Sequence, residues 1–265
     1  MLRLLLQSLL LCVPALVMAE TRPVTIAFDD AYPPYCYVES GRSMGAYILL
    51  MRRAAQALPG WEVKLLPLPW ARAVQEAELG KVDAFMPPYR GVGRSWVGLY
   101  AGPVNREEIV LSCRPSTQLG PASHWPQDFV GKRIGVMRGS LLSQALVDAF
   151  KQGQVLRREF RLTRDALTAL ASDQIDCYAN DKLSIELAHA QALGDSLWAS
   201  RVPAQLEPPF VLSVQPAYIG FSQQSLLNRP ELAEFARALD AQLAQMRASG
   251  ELARLMAQLA ARADD

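Results

Sequence analysis

Two stretches of this chain, RAVQEAELGKVDAFMPP (Arg72–Pro88) and DALTALASDQIDCYAND (Asp165–Asp181), lie 93 residues apart and align without a gap. Each reads as an amphipathic helix, a polar turn and a short strand, and Val82-Asp83-Ala84-Phe85 falls on Ile175-Asp176-Cys177-Tyr178. Few letters match, so the repeat rests on the shared order of elements. The flanks extend it. Val24–Phe28 predicts a strand, followed by the loop DDAYPPY and a helix from about Met44 to Leu58. Arg133–Val136 predicts another strand, followed by MRGSLL and a helix through about Phe150. Trp61–Leu66 and Val155–Phe160 supply the intervening strands. Strands and helices alternating at this length imply a mostly parallel sheet covered on both faces, so two such units imply an α/β protein of two lobes.

In open α/β sheets ligands collect beyond the carboxyl ends of the strands. The loops at 29–35, 87–94, 137–141 and 180–182 lie at such ends and are expected to converge. Glu107–Cys113 and Val211–Phe221 predict strands at the two edges of the second unit, which makes the chain cross twice between lobes. The resulting division is lobe 1 at 20–103 plus 219–265, lobe 2 at 109–213, and a hinge at 104–108 and 214–218. Two further helices, Pro230 to about Ser249 and Glu251 to Ala263, break at Gly250 and are expected to pack back on lobe 1.

The first residues bear on compartment. MLRLLLQSLLLCVPALVMAE has one early positive charge, an apolar run from Leu4 to Met18 and a small-residue pattern at Val17-Met18-Ala19. That is the pattern of a secretory signal peptide spanning 1–19, and the run is short for a membrane anchor. An exported protein is expected. The whole chain carries 27 basic and 26 acidic side chains, and loss of Arg3 balances the two signs. No basic stripe argues for nucleic acid or anionic lipid. Cys36, Cys113 and Cys177 follow the signal peptide, an odd number whose pairing the spacing leaves open. With only His124 and His189 besides, no metal site or cofactor is expected.

Arg94 sits where the first lobe's strand-end loop would face the cleft, and Asp181 at the repeat-equivalent strand end of the second. Opposite charges across a hinged cleft suit a zwitterion, because a guanidinium forks onto a carboxylate and a carboxylate accepts from an ammonium. Arg94 as a solvated loop charge, and Asp181 as the N-cap of KLSIELAHAQAL, are the structural alternatives. Arg90 reads as a rim charge.

The chain resembles the bacterial extracellular solute-binding proteins of family 3, the periplasmic components that feed polar amino acids to ABC importers. The matching stretches are YPPY at 32–35, GKVDAF at 80–85, YRGVGR at 89–94, GKRIGVMRGS at 131–140, IDCYAND at 175–181, YIGFSQQS at 218–225 and ALDAQLAQMRASGELARLM at 238–256. The resemblance implies a type II periplasmic binding fold and a monomer that passes a small solute to a membrane permease and ATPase. By position it implies Arg94 as the clamp for an α-carboxylate and Asp181 as the partner of the α-ammonium, with neighbouring Asn180 also among the ligand-binding residues. It also implies Tyr32 and Trp70 as stacking aromatics, Asp29 as a reader of the ligand side chain, and Ser140 opening a helix whose N–H groups meet the carboxylate. Tyr89 falls in the carboxylate cradle.

The departures from that pattern are Gly91, Val92 and Gly93 before the clamp arginine, Pro87 and Tyr89 in the cradle, Leu141 where a hydroxyl is usual, and Leu49 in place of an acid. Proline donates no N–H, so the cradle is thin and a small organic acid, an aromatic one included given Tyr32, Trp70 and Tyr89, stands beside an amino acid as the expected ligand. Relatives with cyclohexadienyl dehydratase activity make an enzyme the runner-up, with Asp29, Asp181 or Glu207 as the available general acid. A sensor or accessory protein is the third reading. No GxSxG, cysteine–histidine pair or phosphate-cradling loop supports other chemistry.

Overall fold

The computed structural model describes residues 21–255 and 257. The expected signal peptide, and the end of the helix expected from Glu251, lie outside the described residues. Among the described residues there are eleven strands: β1 (Arg22–Asp29), β2 (Ala31–Tyr32), β3 (Cys36–Glu39), β4 (Arg42–Met44), β5 (Trp61–Leu68), β6 (Ala84–Met86), β7 (Val97–Cys113), β8 (Arg133–Met137), β9 (Leu156–Phe160), β10 (Cys177–Asp181) and β11 (Phe210–Ser222). The helices are α1 (Ala46–Gln56), α2 (Trp70–Glu78), α3 (Gln144–Lys151), α4 (Thr163–Ala171), α5 (Lys182–Gly194), α6 (Gln223–Asn228) and α7 (Leu232–Ala248).

Eight strands form one sheet in the order β5-β1-β6-β11-β7-β10-β8-β9. β1 runs parallel to β5 and β6, and β8 runs parallel to β9 and β10. The internal repeat therefore appears as two equivalent three-stranded units, β5-β1-β6 and β9-β8-β10, facing each other across the central pair. The paired aspartates of the repeat do the same work. Asp83 accepts from the Thr25 N–H through Oδ2 at 2.7 Å, and Asp176 accepts from the Arg133 N–H through Oδ2 at 2.8 Å. Their own N–H groups return to the Thr25 and Arg133 carbonyls at 3.0 and 2.8 Å. Each aspartate thus pins the strand-entering turn to the first strand of its own unit, and Arg229 and Arg133 neutralise them in turn.

The crossover strands differ from expectation. β7 begins ten residues before Glu107, at Val97, and pairs antiparallel with β11 from Val97↔Ser222 to Leu111↔Phe210. They lie side by side between the units rather than at the two edges of the second. Two chains crossing the same gap in opposite directions satisfy most of their backbone groups by pairing with each other, which is cheaper than leaving two separate edges.

The helices cover the sheet by their apolar faces. α2 buries Trp70, Ala73 and Ala77 at helical spacing, while α1 buries Tyr47, Leu50, Met51 and Ala54 and leaves Leu49 in solvent. α1 can begin where it does because residue 45 is glycine. Gly45 has φ +108°, and a Cβ there would lie 2.3 Å from the Tyr35 carbonyl oxygen. α7 packs back on the first unit as expected, with Phe235 against Trp61 and Phe221. Asp240 accepts from the Gly102 N–H at 2.9 Å, and Arg247 donates to the Pro103 carbonyl at 2.7 Å, so α7 also anchors the start of the crossover. Full burial of each such aromatic contributes about 1.5–3 kcal/mol.

Cys113 and Cys177 are register partners on β7 and β10 and form a disulfide, while Cys36 is buried and unpaired.

Candidate ligand-binding site

All four strand-end loops meet. They line a cavity of about 30 Å³ with Asp29 at the end of β1 and Tyr32 in β2, with Pro87, Pro88, Tyr89 and Arg94 after β6, with Met137 at the end of β8 and Ser140, Leu141 and Leu142 after it, with Asn180 near the end of β10, and with Trp70 at the start of α2. Of the eight residues expected to meet a ligand, the structure brings seven together here: Asp29, Tyr32, Trp70, Tyr89, Arg94, Ser140 and Asn180.

Asp181 is the exception. Its side chain caps α5, with Oδ1 accepting from the Ser184 N–H at 3.0 Å and from the Tyr35 hydroxyl at 2.9 Å. The cap wins because the helix starts at the very next residue and its orphan N–H groups are fixed in place, whereas a cleft-facing carboxylate would lose both partners. The acidic group that does reach the cavity beside Arg94 is Asp29. Ser140 also needs correction: it does not open a helix. α3 starts at Gln144 with Ser143 as its cap, and the Ser140 N–H is spent on the Met137 carbonyl at 3.0 Å. Gln144 follows a hydroxyl that satisfies the Leu146 N–H, which Leu141 and Leu142 cannot do.

Arg94 is buried at 6 % exposure. Its Nη2 donates to the Gly139 carbonyl of the opposite unit at 2.9 Å, its guanidinium carbon lies 5.5 Å from the Trp70 ring, and its Nε is buried with no hydrogen-bond partner. Burial pulls its pKa down to about 10, so it keeps its charge at neutral pH. Arg90, by contrast, is exposed and lies over Tyr100. Trp70 packs on Phe85 with centroids 5.8 Å apart and presents its other surface to the cavity. Leu141 crosses from the second unit against Gly93, where a Cβ would sit 2.9 Å from Leu141 Cδ1. The leucine that replaces the usual hydroxyl therefore fills space that Gly93 leaves open. About 30 Å³ admits only a water or two, so a solute enters only if the lobes part or Leu141 moves.

Beneath the cavity lies a carboxylate expected only as a hinge residue at the start of a strand. Glu107, on β7, is buried and accepts from the hydroxyls of Tyr32, Tyr47 and Tyr89. The two cavity tyrosines are thus held from below by one carboxylate. A glutamate pair leading directly into the apolar run IVLSC is the signal that could have found it. Asn180 is likewise held, donating to the Tyr178 hydroxyl at 3.0 Å.

Burial raises three carboxyl groups here: Asp29 to about 7, Glu107 to about 7 with the Asp181 charge adding to the effect, and Asp181 to about 6. Each lies above its unfolded value of about 4, so between about pH 4 and 7 the folded protein binds more protons than the unfolded chain. Their contribution to stability is complete below about pH 4 and is lost as pH rises through about 6–7. Asp176, held well below the usual range by Arg133, acts in the opposite sense and only in stronger acid. The melting temperature is therefore expected to fall from about pH 5 to about pH 8, and Glu107→Gln to flatten that fall; a rise over the same interval contradicts it.

Among the described residues no group of three or more His, Cys, Asp or Glu side chains is placed to hold a metal ion. Comparison with known proteins decides the family. Residues 24–260 match the bacterial extracellular solute-binding proteins, family 3. This chain belongs to that family. No curated protein matches this solute-binding protein in sequence. Among solved structures, it superimposes on a histidine kinase sensor domain similar to periplasmic binding proteins, with TM-score 0.72 and 17% identity over 91% of this chain and 96% of that one. An amino acid ABC transporter substrate-binding protein from Streptococcus pneumoniae bound to L-arginine gives TM-score 0.69 and 18% identity over 92% and 96%. An ancestral amino-acid-binding protein described as a precursor of cyclohexadienyl dehydratase gives 0.64 and 17% over 89% and 95%. At these identities the likeness is one of fold: the family 3 protein has the two-lobed fold of the periplasmic binding proteins.

Proposed function

We propose that this protein captures a small carboxylate-bearing solute, an amino acid or a related organic acid, between its lobes. The observation that carries this is Arg94: a buried guanidinium reaching from one unit to the Gly139 carbonyl of the other, with its Nε unpartnered. A carboxylate is the group that a buried guanidinium fork best accommodates. Asp29 lines the same cavity and would receive an ammonium or hydroxyl, and Tyr32, Trp70 and Tyr89 supply flat apolar walls. The lobes are 20–103 plus 219–265 and 109–213, and they swing on 104–108 and 214–218, where the long β7–β11 pair runs between them. Closure follows from tighter binding to the closed state than to the open one. The protein works as a periplasmic monomer, exported by residues 1–19, and hands its solute to the permease and ATPase of an ABC importer.

A thermal-shift and calorimetric screen of amino acids and small organic acids, aromatic ones included, tests the reading. A true ligand at a hundredfold excess over its Kd stabilises the protein by about 2.7 kcal/mol. If no carboxylate in such a screen shifts the melting curve while the protein is folded, the reading falls.

A catalytic second reading draws on one observation. Burial raises Asp29 to about 7, so its carboxyl is partly protonated at neutral pH, and it lines the same cavity as Arg94, which suits a general acid for dehydration. Of the other acids considered, Asp181 is committed to its cap and Glu207 borders cavities remote from Arg94. Turnover of prephenate or arogenate that disappears in Asp29→Asn would favour this reading; stoichiometric binding without turnover favours capture.

A further inference from the structure

Several polar side chains around Arg94 spend their polar ends on groups that do not border the cavity. The hydroxyls of Tyr32 and Tyr89 both donate to Glu107, which is buried on β7 and outside the lining. Asn180 donates through its amide to the Tyr178 and Thr163 hydroxyls at 3.0 and 3.5 Å, also outside it. A buried tyrosine hydroxyl needs a partner, and Glu107 supplies one on the far side. What the two tyrosines offer a guest is therefore the ring.

The facing wall has the same character. Met137, Leu141 and Leu142 come from the second unit and bear no strong hydrogen-bonding group. Asp29, Arg94 and Ser140 are the charged or hydroxyl-bearing side chains of the lining left unspent in this way. Few polar groups among many apolar ones fix a ligand by one end and leave its body to apolar contact. Room for a body adjoins. A neighbouring cavity of about 170 Å³ shares Asp29, Trp70 and Met137 with this one and adds Pro69 and Phe160. An apolar cavity of about 150 Å³ holds a benzene ring. Arg72, Arg138 and Arg161 also border it, but each is more than half exposed and faces an acid of its own, Glu76, Glu159 and Asp30.

We infer that the captured solute is a carboxylic acid with an apolar, ring-bearing body rather than a polar amino acid. Its carboxylate meets Arg94 and its ring lies among Tyr32, Trp70, Met137 and Leu141. This rests on the capture reading above and narrows its ligand class.

Calorimetric titration with 3-phenylpropionate, L-phenylalanine, L-glutamine and L-arginine tests it, with 3-phenylpropanamide as the control that lacks a carboxylate. At least one of the two ring acids is expected to bind tenfold or more tighter than both polar amino acids, and the amide tenfold or more weaker than that acid. Leu141→Asn, at a partly exposed position, is expected to weaken the ring acid about tenfold, and Leu141→Met to retain it. If glutamine or arginine binds as tightly as the ring acids, or only other carboxylates bind, the inference falls and capture stands. If no carboxylate binds, both fall. The inference also falls if the amide binds like the acid, or if Leu141→Asn binds it like the parent; should that variant not fold, the ligand series decides.

Discussion

Arg94→Ala is expected to abolish carboxylate-dependent stabilisation while leaving the fold in place. The side chain makes a hydrogen bond to the Gly139 carbonyl and lies near Trp70, whose own position is set by Phe85. Its loop is held independently by buried Val92 and by Tyr89, which bridges to Ala217 on β11 and donates to Glu107. Removing a buried charge that lacks a counter-ion also removes its desolvation cost, so the unliganded protein loses little. The liganded one loses its fork. Truncating one partner of a buried, hydrogen-bonded charge pair costs about 2–5 kcal/mol, or roughly thirtyfold to several thousandfold in Kd. Arg94→Lys, which keeps the charge without the planar fork, is expected to fall between. Calorimetry with a ligand from the screen decides it: if the alanine variant melts and binds like the parent, Arg94 is a packing residue.

Replacing both Cys113 and Cys177 with serine is expected to cost about 4 kcal/mol of stability on the chain-entropy account. The bond spans 64 residues of sequence, so in the unfolded chain it closes a loop that takes in β8, α3, β9 and α4. In the folded protein it ties β10 to β7, joining the second unit to the crossover pair. For a domain of this size that loss corresponds to a fall in melting temperature of about 10 °C. Denaturant titration of the oxidised parent, the reduced parent and the double variant checks it. If all three share one midpoint, the bridge adds nothing. Cys36 is buried and unpaired and is not expected to rescue either cysteine.

How much of this was readable in advance depended on whether the signal was local. Alternating apolar runs report their own burial, so the strands at Val24, Trp61, Arg133 and Val155 and the helices between them were visible, as was the repeat that carries Asp83 and Asp176 to equivalent jobs. Strand-end loops follow from that order, which is why seven of the eight expected contact residues line one cavity. Asp181 shows the limit. A carboxylate before a helix is compatible both with capping and with facing a ligand, and only the direction of its side chain separates the two. Ser140 was misplaced by a few residues because MRGSLLS holds two serines, either able to start a helix. Cysteine pairing was open for a similar reason: three cysteines allow three pairs, and the register of β10 on β7 selects one.

The sequence alone thus determined the two α/β units, the double crossing between them, and the identities of the charged and aromatic groups delivered to strand ends, because periodicity and order are properties of neighbours along the chain. Tertiary structure alone decided that Glu107 sits under three tyrosines, that Leu141 closes the space beside Gly93, and that Asp29 rather than Asp181 shares a cavity with Arg94. Those outcomes depend on distances between segments far apart in sequence, fixed when both units pack against the same pair of strands.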